Sequence, residues 1–306
     1  VKDGRFIQVG SAEAVQGFIG ANTEVTDLGG KMILPSFFES HCHAQAMTQL
    51  MFSVNITECG SLEEYIGAVR AFAAENPDCG SITGYGWSNT VFPPKGPEKA
   101  TLDEISPEIP IALWSADHHS LWVNSKALQI ADITRETVNP AGGAIERDES
   151  GEPSGTLREG AADAAMSTFP DFTTEQYKAG ILEYQRLANS RGFTGSFDAV
   201  LPAGGNAIEA YKELAAEGSL KMYFRGAYQF DPAGELAQAE EMARRRLEDS
   251  ISDLFRMNTA KFFADGVIEG GTAYLLEPYE AGAQKAPGFR GEPIWEQEKL
   301  KKTFVS

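Results

Sequence analysis

The segment Glu39-Ser-His-Cys-His-Ala-Gln45 places two of the chain's four histidines one residue apart, directly after the apolar run Lys31-Met-Ile-Leu-Pro-Ser-Phe-Phe38. In an extended chain, residues i and i+2 point to the same face. His41 and His43 would therefore stand side by side with Cys42 turned the other way, and two neutral imidazoles converging on one spot are half of a metal site. The plain alternative is a pair of core or surface histidines; the apolar strand before them and their place at its end favour the metal. A second group is Thr259-Ala-Lys-Phe-Phe-Ala-Asp-Gly266, where a strand would put Lys261, Phe263 and Asp265 on one face. A lysine among phenylalanines is costly to bury charged, so it needs an ion-pair partner such as Asp265, a shifted pKa or a covalent change. The other two histidines, His118 and His119, close the segment Trp114-Ser-Ala-Asp-His-His-Ser120. Consecutive strand residues face opposite ways, so at most one of them points into a site.

These groups need elements to position them. Ser61-Leu-Glu-Glu64 reads as a capping box opening a helix to about Asn76, with Leu62, Tyr65, Ile66, Val69 and Phe72 on one face. Strands are expected over 80–87 and 109–119, separated by a proline-rich surface loop at 91–110. The turn-rich, acidic stretch 139–156 reads as a mobile loop or a hairpin. A helix starting at Thr173, again with a capping box, stops near Gly192. From there strands at 192–200, 220–230 and 259–266 alternate with helices at 206–218 and 233–250. That alternation implies βαβ units and a parallel sheet, with ligands at the carboxyl ends of the strands. The first thirty residues, punctuated by Asp-Gly and Gly-Gly, read as a few short strands.

The 306 residues carry a formal charge of -18, which repels nucleic acid and anionic membrane surfaces and leaves a small neutral or cationic molecule as the easier partner. Cys42, Cys59 and Cys79 form no Cys-x-x-Cys pair and no even framework, as fits a reducing, cytoplasmic setting. No apolar run has the length needed to cross a bilayer.

Residues 33–45 resemble the Leu-Pro-Gly-Phe-Ile-Asp-Ser-His-x-His signature of the amidohydrolase superfamily, metal-dependent hydrolases built on a TIM barrel with a small β-sandwich. Residues 114–128, 142–161 and 260–266 are similar to segments that mark its amidohydrolase-3 branch, the YtcJ-like and N-substituted formamide deformylase-like proteins. The resemblance implies that His41 and His43, at the end of barrel strand 1, bind a divalent metal, zinc, as one or two ions. It implies that Lys261 closes strand 4 as a carbamate formed with carbon dioxide, acting both as ligand and in catalysis. His119 matches a pocket-lining histidine, and Asp265 is assigned a positioning role.

The fold class so implied is α/β: strands 1 to 4 of an eight-stranded barrel (33–49 and 191–306), an insertion subdomain covering the site (50–190), and part of an N-terminal β-sandwich (1–32). Ser36, Glu39 and His118 replace residues usual in the family, none of them a ligand there. The family also uses two histidines after strands 5 and 6 and an aspartate after strand 8, whereas no histidine follows His119. The chain thus reads as the N-terminal part of a longer protein, and its open sheet edges would have to be hidden by dimerising, swapping or rearranging. The implied reaction is hydrolysis, by metal-activated water, of a carbon–nitrogen bond other than a peptide bond in a small amide or formamide. The rival is a catalytically incomplete fragment or ligand-binding remnant. A third reading, Lys261 as the Schiff-base nucleophile of a barrel aldolase, is disfavoured by the paired histidines.

Overall fold

The computed structural model describes residues 1–3, 5–140, 143–266, 268, 273–280 and 287–305. They form two compact units, Val1–Ser36 and Phe37–Ser306.

In the first unit Ser11 caps a single turn of helix, α1 (Ala12–Val15), by accepting from the Ala14 N–H at 3.3 Å. The only pairing among its described residues is one antiparallel bridge between Lys2 and Arg5. The short strands expected over 1–32 are therefore not formed. A strand persists only when its ladder is paired and one face is buried, and no described residue of this unit is buried, with Phe6, Val9, Val25 and Met32 all exposed.

The described residues of the second unit form two sheets. Strand β1 (Phe37–Cys42) is followed by a short 3₁₀ turn and α2 (Met47–Phe52). The chain then builds β2 (Val54–Asn55), α3 (Leu62–Glu75), β3 (Ile82–Trp87), α4 (Lys99–Asp103), β4 (Ile111–Ser115), β5 (Ser120–Val123) and α5 (Ser125–Ile130). After these come β6 (Gly143–Arg147), β7 (Pro153–Glu159) and α6 (Gly160–Met166). The strands of this segment pair in the order β2-β3-β4-β5-β7-β6, parallel as far as β4 and antiparallel beyond it. Both faces are covered. Ile111, Leu113 and Trp122 pack with Tyr65 and Val69 of α3 on one side, while Ala112, Leu121 and Val123 pack with Ala127, Ala161 and Ala165 on the other. That division is the two-residue period of a strand expressed as two cores.

The acidic stretch 139–156 proves to be a hairpin, β6 against β7. The proline-rich stretch 91–110, expected on the surface, instead contributes to the core. Leu102 of α4 is fully buried, and the Phe92 ring lies 5.4–6.0 Å from those of Tyr65, Trp87 and Trp122. Prolines end regular pairing, but the apolar residues between them gain too much by burial to remain in water.

The third part is regular. Helix α7 (Thr174–Ser190) leads to β8 (Phe193–Leu201), α8 (Asn206–Ala216), β9 (Tyr223–Gln229), α9 (Ala237–Asp249) and β10 (Phe255–Lys261), with α10 (Gln297–Val305) near the end. With β1 these strands make a four-stranded, wholly parallel sheet in the order β1-β8-β9-β10. Its core joins Phe224, Phe255 and Met257 to Ile208, Tyr211 and Leu214 of α8, with Ile181 of α7. Because all pairings are parallel, the carboxyl ends of the four strands lie on one side. Among the described residues no helix is long and apolar enough to cross a membrane, and the three cysteines are free thiols.

Candidate metal centre

His41 lies near the end of β1 and His43 directly after it, and their rings lie 5.6 Å apart, edge to face at 84°. Cys42 turns away, its Sγ 2.8 Å from the Ser196 hydroxyl on β8, which is in turn 2.8 Å from the Tyr184 hydroxyl of α7. Partial burial, and then the positive fields of His41 and Lys261, hold the His43 imidazole below the usual histidine range. The neutral imidazole is the form that ligates, and a lowered pKa favours it. Lys261 ends β10, the opposite edge strand of the same parallel sheet.

A buried polar group fixes the turn that follows. Asp198 faces Cys42 in the β1–β8 register. Its Oδ2 accepts from the Gln45 N–H at 3.3 Å and the Tyr211 hydroxyl at 2.9 Å, while the Gln45 side-chain amide donates to the Val200 carbonyl at 3.2 Å. Helix α2 then crosses α7 at Gly180, where a Cβ would lie 2.2 Å from Thr48 Oγ1. The histidine turn is therefore held by a strand on one side and by a close helix crossing just after it.

Lys261 differs from expectation. It ends β10 and is half-buried, Phe263 is exposed, and the ammonium lies 4.8 Å from the Phe263 ring centroid as a cation–π contact. Asp265 is not its ion-pair partner among the described residues; its carboxylate accepts from the Tyr274 N–H at 2.8 Å. The cost foreseen for a fully buried lysine is reduced because the strand ends at this residue, which is only partly buried. Phe262 is the one that packs inward, against Phe230, Trp295 and Phe304.

His119 lies on the other sheet, in the β4–β5 turn, with Nδ1 3.1–3.2 Å from the Glu159 carboxylate. His118 is turned out by a left-handed backbone (φ 58°) and its ring lies near Trp114. Glu159, Asp198 and Gln45 were not visible as site residues in the sequence. The one signal was an aspartate in the middle of Phe193–Leu201, a segment otherwise suited to burial. A cleft is lined by Phe52 of α2, Trp114 of β4, Met166 of α6, and Phe169, Asp171 and Phe172 before α7.

The donor set admits a metal in part. Two imidazoles stand together, yet among the described residues no three His, Cys, Asp or Glu side chains converge as ligands. Lys261 would join them only as an anion, as a carbamate is. The paired histidines lie at the carboxyl end of the first strand of a sequential parallel sheet, and Lys261 at the end of its last. Residues 24–305 match the amidohydrolase family, and the chain belongs to that family.

Individual relatives are more distant. The chain is 27% identical over 289 residues to the exoenzymes regulatory protein AepA of Pectobacterium carotovorum subsp. carotovorum, covering 92% of this chain and 62% of that protein. It is 27% identical over 278 residues to the N-substituted formamide deformylase of Arthrobacter pascens, covering 87% and 50%. The crystal structure of an uncharacterized metal-dependent hydrolase from Pyrococcus horikoshii OT3 superposes with a TM-score of 0.76 at 21% identity, over 100% of this chain and 57% of that one. The chain thus spans between half and two thirds of the length of these relatives, and the structural likeness establishes the fold.

Proposed function

We propose that this chain carries part of the active site of a metal-dependent hydrolase that cleaves a carbon–nitrogen bond other than a peptide bond, in a small amide or formamide. The observation that carries this reading is the His41–His43 pair, two imidazoles 5.6 Å apart, edge to face, after the first strand of a parallel sheet. His41, His43 and a carboxylated Lys261 would hold zinc, and further ligands would come from outside the described residues. The four-stranded sheet is read as the first half of an eight-stranded barrel and residues 50–190 as the insertion that covers its mouth. The chemistry such an ion supplies when bound is a water with a pKa near about 7 and a polarised carbonyl. The chain's own residues position that chemistry: Asp198 and Gln45 fix the turn bearing His43, and Asp265, four residues after Lys261, accepts from the Tyr274 N–H. The relative named as a formamide deformylase supports the bond class, and the three free thiols support a cytoplasmic setting.

A second reading, a catalytically incomplete or regulatory protein, is favoured by the lack of a third His, Cys, Asp or Glu ligand among the described residues and by the name of AepA. Metal content by elemental analysis, paired with an assay on N-substituted formamides, separates the two. One or two zinc ions per chain, lost in a His41→Ala/His43→Ala double variant, and metal-dependent release of formate support the hydrolase. A folded protein that binds no zinc supports the second reading.

A further inference from the structure

Two non-glycine residues on facing parts of the six-stranded sheet have left-handed backbone: His118 at φ 58° and Glu159 at φ 50°, ψ −127°. The second pair of angles is that of the first central residue of a type II′ turn, a place where glycine is favoured. A glutamate stays there only if the surroundings over-determine it, and they do. The Glu159 N–H donates to the His119 carbonyl at 3.0 Å. The His119 N–H donates to Asp117 Oδ1 at 3.1 Å, and the Ser115 hydroxyl donates to the same oxygen at 2.5 Å. Across the ladder from Glu159 stands Gly143, where a Cβ would come within 2.4 Å of the Ala161 nitrogen. The β6 backbone thus approaches the start of α6 closely enough that only glycine fits at 143.

The strain delivers a carboxylate to an imidazole. Glu159 is the N-cap residue of α6, where an acidic side chain ordinarily accepts from the helix's own free N–H groups, yet it makes no such bond. Both of its oxygens lie beside His119 Nδ1, at 3.1 and 3.2 Å. An ionised carboxylate only accepts hydrogen bonds, so Nδ1 must be the nitrogen that carries the proton, and in the neutral ring the Nε2 lone pair is free.

We propose that Glu159 is a positioning residue for His119, fixing the imidazole as its Nδ1–H tautomer so that Nε2 serves as acceptor for an N–H group of a bound small molecule. The ligand class is one with an N–H donor, a primary or secondary amide, as opposed to a tertiary amide or an ester. Only this ligand class rests on the hydrolase reading; the pairing of the two side chains does not.

The test is long-range proton–nitrogen NMR of histidine-labelled full chain at a pH where the rings are neutral, with His119 assigned by its loss in His119→Gln. The native protein is expected to show a pyrrole-type Nδ1 and a pyridine-type Nε2. Glu159→Gln, whose amide oxygen still accepts, keeps that pattern. Glu159→Gly, which removes the carboxylate and suits the left-handed backbone, reverts to the commoner Nε2–H tautomer with no loss of melting temperature. An Nε2–H tautomer in the native protein, or an unchanged tautomer in a folded Glu159→Gly, overturns the positioning role. Added N-methylacetamide is expected to shift the His119 Nε2 resonance and N,N-dimethylacetamide to leave it in place; a shift with both, or with neither, overturns the ligand class. Absence of zinc or of formate release would count against the hydrolase and leave the tautomer result standing.

Discussion

The Gln45 N–H donates to Asp198 Oδ2 at 3.3 Å, so a carboxyl buried in β8 ties down the turn that carries His43. The same oxygen takes the Tyr211 hydroxyl, while Oδ1 has no hydrogen-bond partner. Burial outweighs these bonds and pushes the acid from its ordinary 3.8 up to about 7. Between those two values the folded protein holds a proton that the unfolded chain has released. The contribution of Asp198 to stability is therefore fully present below about pH 4 and declines as pH rises toward about 7, with a slope approaching about 1.4 kcal/mol per pH unit. Urea unfolding at several pH values should show this slope in the native protein and its loss in Asp198→Asn. Parallel pH profiles for the two would refute it.

A metal held by His41 and His43 stabilises only the folded state. Zinc at about a hundred times its dissociation constant should add about 2.7 kcal/mol to unfolding, and a chelator should remove the gain. His41→Ala/His43→Ala should unfold identically with and without zinc. A double variant that still gains stability would place the ion elsewhere.

Gly180 sets two effects against each other. Alanine is the better helix former by about 1 kcal/mol, but its Cβ would lie 2.2 Å from Thr48 Oγ1 and 2.7 Å from the Thr48 nitrogen. Overpacking against backbone typically costs about 1–3 kcal/mol, so Gly180→Ala should lower net stability and speed hydrogen exchange in α2. A stabilised Gly180→Ala would show that α2 and α7 do not cross this closely.

The start of α7 is a reciprocal capping box: the Gln176 N–H donates to Thr173 Oγ1 at 3.2 Å and the Thr173 N–H to Gln176 Oε1 at 2.9 Å. Thr173→Ala should cost about 1 kcal/mol, with Thr173→Ser close to native. Chemical denaturation of the three proteins measures it directly, and equal midpoints would mean that the cap contributes nothing.

Local structure was legible where the signal was local. The caps at Ser61 and Thr173, the strand–helix alternation after Gly192 and the side-by-side placement of His41 and His43 all follow from neighbours within a few residues. The same reasoning misplaced the strands of 1–32 and the surface loop at 91–110. Whether a short apolar run pairs, packs or stays in water depends on partners that the run itself does not contain.

Contacts between distant parts of the chain were decided by tertiary structure alone. Asp198 meets Gln45 across 153 residues, Ser196 meets Cys42 across 154, and Glu159 meets His119 across 40. No spacing rule links such pairs. Lys261 and Asp265, four residues apart, could have paired on one strand face and do not, because β10 ends at Lys261 and the two-residue alternation that would align them ends with it. The sequence by itself determined which residue types could do chemistry and the elements that carry them. Parallel pairing of β1, β8, β9 and β10 decided which meet, since side chains far apart in the chain converge only once the backbone hydrogen bonds have set the register.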